Sequence, residues 1–125
     1  MLIGNLVKGK KEDQYFSLEL DQTRGQLSLR KCYGRVVDLL SKLEKPIGFK
    51  LHTWYRLYMG IFVVDGLLRL DAYAAEVNGN NINLLAEMSV SGIEGWKENG
   101  ALLPGFWGVG SRQSHAAFSW LQLEA

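Results

Sequence analysis

The chain has 125 residues, 47% hydrophobic and 22% charged, with a formal net charge of +1. That suffices for one domain with its own core and excludes a disordered chain. The single cysteine, Cys32, excludes an intrachain disulfide, and no apolar run reaches the roughly 18 residues that a bilayer-spanning helix needs.

Residues 2–7 are short and apolar and read as an edge strand. The basic residues of the first eleven positions follow this stretch, the reverse of a secretory leader, so a cytoplasmic protein is expected, whether cellular or carried by a virus or plasmid. Residues 8–13 form a charged turn. From 14 to 20, Phe16, Leu18 and Leu20 alternate with Tyr15, Ser17 and Glu19, the period of a strand. Asp21 to Gly25 read as a hairpin loop, and 26–33 resume the alternation with Leu27 and Leu29.

The period then changes. Val36, Leu39, Leu40 and Leu43 recur at helical spacing, Asp38 precedes Lys42 by four residues, and Pro46 stops the run. One short helix is therefore expected at 35–44. A strand is expected over 49–59, with Phe49, Leu51, Thr53, Tyr55, Leu57 and Met59 on one face. Lys50, His52, Trp54, Arg56 and Tyr58 would share the other. Asp65-Gly66 between two strand-like runs is a hairpin signal, because both turn positions need positive φ. Residues 78–81 make a second turn, after which Ile82, Leu84, Ala86, Met88 and Val90 alternate.

Between residues 92 and 114 the pattern dissolves into six glycines, Pro104 and the aromatics Trp96, Phe106 and Trp107. A loop or arm is expected there, with Trp96, Phe106, Trp107 and Arg112 available to a partner. Residues 115–123 read as a last strand. The whole is a single, mainly β domain. Its antiparallel strands, joined by short turns, curl into a partly open barrel (OB-like or a β roll) or pack as a sandwich.

No catalytic signature emerges, so no enzyme is expected. The glycine-rich stretch from Pro104 to Gly110 lacks the Gly-Lys-Ser or Gly-Lys-Thr ending of a phosphate loop. His52, His115 and Cys32 are too far apart in sequence for a metal motif, and no cofactor is implied. A Cys32–histidine pair would have to be assembled by the fold. The carboxylates Asp65, Asp71, Glu76, Glu87, Glu94 and Glu98 are scattered and mark no two-carboxylate hydrolase.

Charge is unevenly spread. Residues 1–60 carry eleven Lys or Arg against six Asp or Glu, a net +5, and residues 61–125 carry three against seven, a net −4. Either the two halves pair internally or the first half presents a basic surface. The second possibility joins the interleaved rings and cations of Lys50, His52, Trp54, Arg56 and Tyr58, with Arg30, Lys31 and Arg35 in neighbouring elements extending the track. Cations for phosphates and flat rings for bases are what a single-stranded DNA or RNA binder needs. If both sides of the strand are covered, Trp54 and Tyr58 are core instead. The competing expectation is a structural or adaptor subunit. It would contact itself or another protein through the 92–114 segment and the sheet edges, with no membrane role.

The segment Ala117-Phe118-Ser119-Trp120-Leu121-Gln122-Leu123 is similar to the terminal strand of some small phage single-stranded DNA-binding proteins, compact β proteins of about this length. The similarity covers under a tenth of the chain and assigns no residue a role.

Overall fold

The structure, a computed structural model, describes residues 1–9, 12–98, 101–102 and 105–110. It is built from β-strands. Five of them, β1 (Leu2–Lys8), β2 (Asp13–Asp21), β3 (Gln26–Tyr33), β4 (Val36–Lys42) and β10 (Phe106–Val109), form one antiparallel sheet in the order β10-β1-β2-β3-β4. Three more, β5 (Trp54–Val64), β6 (Leu67–Asn78) and β7 (Asn81–Ile93), form a second antiparallel sheet. The short strands β8 (Lys97–Glu98) and β9 (Ala101–Leu102) pair with each other. The two large sheets pack face to face and are not closed into a barrel.

Alternation builds the core. On the first sheet Phe16 and Leu18 of β2 and Leu27 and Leu29 of β3 are fully buried, with Leu18 opposite Leu29 and Leu20 opposite Leu27. On the second sheet Met59 of β5 and Leu68, Leu70, Ala72 and Ala74 of β6 complete the same cluster. The alanines give the larger side chains of the first sheet room to enter. Each fully buried leucine or phenylalanine contributes roughly 1.5–3 kcal/mol. No helix among the described residues is long and apolar enough to cross a membrane.

The turns explain the registers. Asp65 and Gly66 both have positive φ, 51° and 79°, as a two-residue type I′ hairpin requires, and they set Val64 opposite Leu67. Gly79, at φ 60°, turns β6 into β7 with Asn78 opposite Asn81. Asp21 closes the β2–β3 loop by accepting a hydrogen bond from the Arg24 amide at 3.1 Å.

The helix expected at 35–44 is absent: Val36–Lys42 is a strand, joined to β3 by a turn at Gly34, where φ is 59°. The cause is a β-bulge. Arg30 pairs with Leu39 and Leu29 with Ser41, which leaves Leu40 as the extra residue. A bulge shifts the parity of the strand. Leu40 and Leu43, three residues apart, therefore both reach the core, and helical spacing is mimicked by extended chain. Two β-branched valines at its start favour the strand.

The 92–114 segment holds the end of β7, the β8–β9 pair and β10, which runs antiparallel to β1 with Leu2 opposite Val109. The Met1 ammonium donates to the Gly110 carbonyl at 2.7 Å, and the Gly110 amide donates back to the Met1 carbonyl at 3.1 Å. Trp107 of β10 crosses over Gly4 of β1. A Cβ on Gly4 would stand 2.8 Å from a Trp107 ring carbon and 2.8 Å from the Met59 methyl. Arg112, His115 and the strand expected at 115–123 lie outside the described residues.

Gly4→Ala forces a methyl against a packed indole, and overpacking of this kind costs about 1–3 kcal/mol. Urea denaturation should show that loss as a lower midpoint at unchanged slope. A wild-type midpoint would mean that Trp107 does not rest on Gly4.

Candidate binding face

The side of the β5–β6–β7 sheet turned away from the core is set by pairing. Trp54 lies opposite Val77, Arg56 opposite Ala75, Tyr58 opposite Tyr73, Gly60 opposite Asp71, Phe62 opposite Arg69 and Val64 opposite Leu67. Across β6, Val77 meets Ile82, Ala75 meets Leu84, Tyr73 meets Glu87 and Asp71 meets Ser89. Trp54, Tyr58, Phe62, Val64, Ile82 and Leu84 are all exposed, Trp54 and Leu84 each at 54%. Six large apolar or aromatic side chains on one face form a surface patch of the kind that marks an interaction site.

The centre of the face is polar and ordered. The Tyr58 and Tyr73 rings stack, 5.0 Å between centroids and 15° from parallel. Arg69 lies 4.9 Å from the centre of the Phe62 ring and 3.3 Å from an Asp71 carboxylate oxygen. Ser89 donates to the other Asp71 oxygen at 2.7 Å. An open depression of about 510 Å³ runs between these groups, lined by Tyr58, Arg69, Asp71, Tyr73, Glu87 and Ser89. Gly60 gives the flanking rings room. Tyr58 and Phe62, two positions to either side, lean over it so closely that a Cβ there would be 2.5 Å from the Tyr58 hydroxyl.

Of the five residues expected on one strand face, Trp54, Arg56 and Tyr58 are brought together. Lys50 and His52 are not. The strand begins at Trp54, and His52 sits in a turn with φ at 55°, which breaks the alternation. The Lys50 amide donates to the Tyr55 hydroxyl at 2.6 Å, and its ammonium lies 3.7 Å from Glu76. Tyr55 and Glu76 pair on the opposite side of the sheet from Trp54.

The remaining cations of the expected track belong to the other sheet. Arg30 lies 3.1 Å from Glu19. Lys31 points the opposite way along β3. It sits 5.4 Å from the centre of the Trp96 ring and donates to the Glu94 carbonyl at 2.5 Å. Arg35 is exposed in the turn between β3 and β4. The continuous basic strip is thus replaced by separate charges on two sheets.

The residues expected to meet a partner also separate. Trp96 packs on Phe16, 4.9 Å between centroids, and covers the end of the core. Trp107 packs against the core as well. Phe106 is 69% exposed on β10. Among the described residues no group of His, Cys, Asp and Glu is placed to hold a metal ion.

Sequence reading missed Tyr73, Arg69, Phe62, Glu87 and Ser89 as members of this face. A signal existed. A two-residue turn at Asp65-Gly66 fixes every pairing along β5 and β6, so Tyr73 could have been placed opposite Tyr58. No family model, curated protein or solved structure was found to be similar to this chain.

The stacked tyrosines should be energetically coupled. In a cycle of Tyr58→Leu, Tyr73→Leu and the double variant, urea denaturation should give a coupling of about 0.5–1.5 kcal/mol. Additive losses would show that the rings do not touch in solution.

Proposed function

We propose that this chain is a non-enzymatic structural or adaptor subunit that docks on protein through the outer face of the β5–β6–β7 sheet. The observation that carries this reading is the makeup of that face: exposed apolar and aromatic side chains around a charge-balanced centre. Arg69 lies 3.3 Å from Asp71, and the face also carries Arg56 and Glu87, so its two cations are equalled by two carboxylates. Binding energy in protein contacts concentrates on Trp, Tyr and Arg side chains, and Trp54, Tyr58, Tyr73, Arg56 and Arg69 all stand on this face.

The same balance argues against a nucleic acid. Affinity for a phosphate chain comes from cations that displace its counterions. Here a phosphate chain would meet two carboxylates beside two arginines. The Tyr58 and Tyr73 rings also face each other, so each keeps one face for a base. One observation favours the single-strand reading: Trp54 is exposed on the strand that also carries Arg56 and Tyr58. Trp54 is a stacking platform in that case, and an anchor in a protein contact otherwise.

Two measurements separate the readings. Titration with oligothymidylate, followed by tryptophan emission, should show no binding that weakens with salt. A photo-reactive residue introduced as Leu84→p-benzoylphenylalanine should give a protein adduct in the cells that make the chain, unchanged by nuclease. Steeply salt-dependent binding, or an adduct that nuclease removes, would replace the proposal with the nucleic-acid reading.

A further inference from the structure

We infer that the protein seated on this face is a second copy of the same chain, related by a two-fold axis. The inference rests on the docking role proposed above and adds the identity of the partner.

The first support is charge. The face carries two arginines and two carboxylates, Arg56, Arg69, Asp71 and Glu87, and so has no net charge of its own. A strongly acidic or basic partner would leave two like charges facing it. A copy of the same face leaves none in excess, and an isologous contact makes every favourable pair twice.

The second support is the order of the side chains along the strands. One end carries Trp54, Val77, Ile82 and Leu84 around Arg56. The other end carries Phe62, Val64 and Leu67 around Arg69. The polar groups Tyr73, Asp71, Glu87 and Ser89 lie between them. The pattern therefore reads alike from either end. Turning a second face end over end sets Trp54 toward Val64 and Val77 toward Leu67 at both extremities, and sets Arg56 toward Phe62 rather than toward Arg69. It also brings the Tyr73 hydroxyl, a donor, toward Asp71, an acceptor, at the centre.

The third support is size. Three strands at ~4.8 Å spacing and about eleven residues at ~3.4 Å each give a flat footprint of roughly 500 Å². Side-chain relief raises the accessible area toward the ~800 Å² per partner of a standard stable interface. A small ligand would leave most of it uncovered.

The test is sedimentation of the full chain from low to high micromolar concentration, for the wild type and for Leu84→Arg and Phe62→Arg. These variants place a charge at the two opposite ends of the face, and both positions are exposed, so far-UV circular dichroism should stay unchanged. The expected result is a wild-type dimer that each variant weakens at least about 100-fold, because a cation is forced into an apolar contact. A wild-type monomer throughout the range would overturn the inference, as would a dimer that survives either substitution. The docking role is judged separately. A Leu84 adduct of another mass, still resistant to nuclease, keeps that role and removes the second copy.

Discussion

The interior contact between the two sheets governs the rest of the structure. Phe16, Leu18, Leu27 and Leu29 enter from one side, and Leu68, Leu70, Ala72 and Ala74 receive them from the other. Because strand side chains alternate strictly, choosing which set faces inward also chooses which set faces out. Burying Leu68, Leu70, Ala72 and Ala74 leaves Arg69, Asp71 and Tyr73 on the far side. The outer face is thus a consequence of core packing, and a one-residue slip of β6 would exchange the two.

The hairpin at Asp65-Gly66 converts that parity into a particular surface. Its two left-handed residues allow no extra residue in the loop, so β5 and β6 stay in register from Val64·Leu67 to Trp54·Val77. Rings then fall beside rings and Arg69 beside Phe62. Each contact is worth little alone: a cation–ring contact at an exposed site contributes about 0.5–1 kcal/mol. Their value lies in holding large side chains in fixed positions before a partner arrives, which lowers the ordering cost of association.

Much of this was legible in the residues. Phe16, Leu18 and Leu20, with Leu27 and Leu29 after a turn, announce a hairpin, and the Asp-Gly pair announces another. What escaped was decided by contacts distant in sequence or by a local break in alternation. The Leu40 bulge gave Leu40 and Leu43 a spacing that a helix also uses, and periodicity alone does not tell the two apart. The left-handed His52 removed Lys50 and itself from a strand whose alternation looks continuous on paper. The β1–β10 pairing joins positions a hundred residues or more apart through a glycine-rich stretch with no periodic signal, and it is closed by the Met1–Gly110 backbone bonds and the fit of Trp107 over Gly4.

The uneven charge of the chain finds its explanation in the same registers. Among the described residues the cations of the basic first half do not gather into one surface, because they point to different sides and several meet nearby carboxylates. Lys8 meets Asp13, Arg24 meets Asp21 and Arg30 meets Glu19, all within that half. Lys50 reaches across to Glu76 in the acidic half. Exposed pairs of this kind add little stability, a median of about 0–1 kcal/mol. Their effect is on the field, since a cation with a carboxylate at its side attracts a polyanion weakly. A sequence-level imbalance becomes a binding surface only when the fold puts like charges on one face. Here β3 sends Arg30 and Lys31 to opposite sides of one sheet, and β5 begins too late to align Lys50 with Arg56. The face that the second sheet turns outward is apolar at both ends with balanced charges between them, and a patch of that kind is covered most readily by protein.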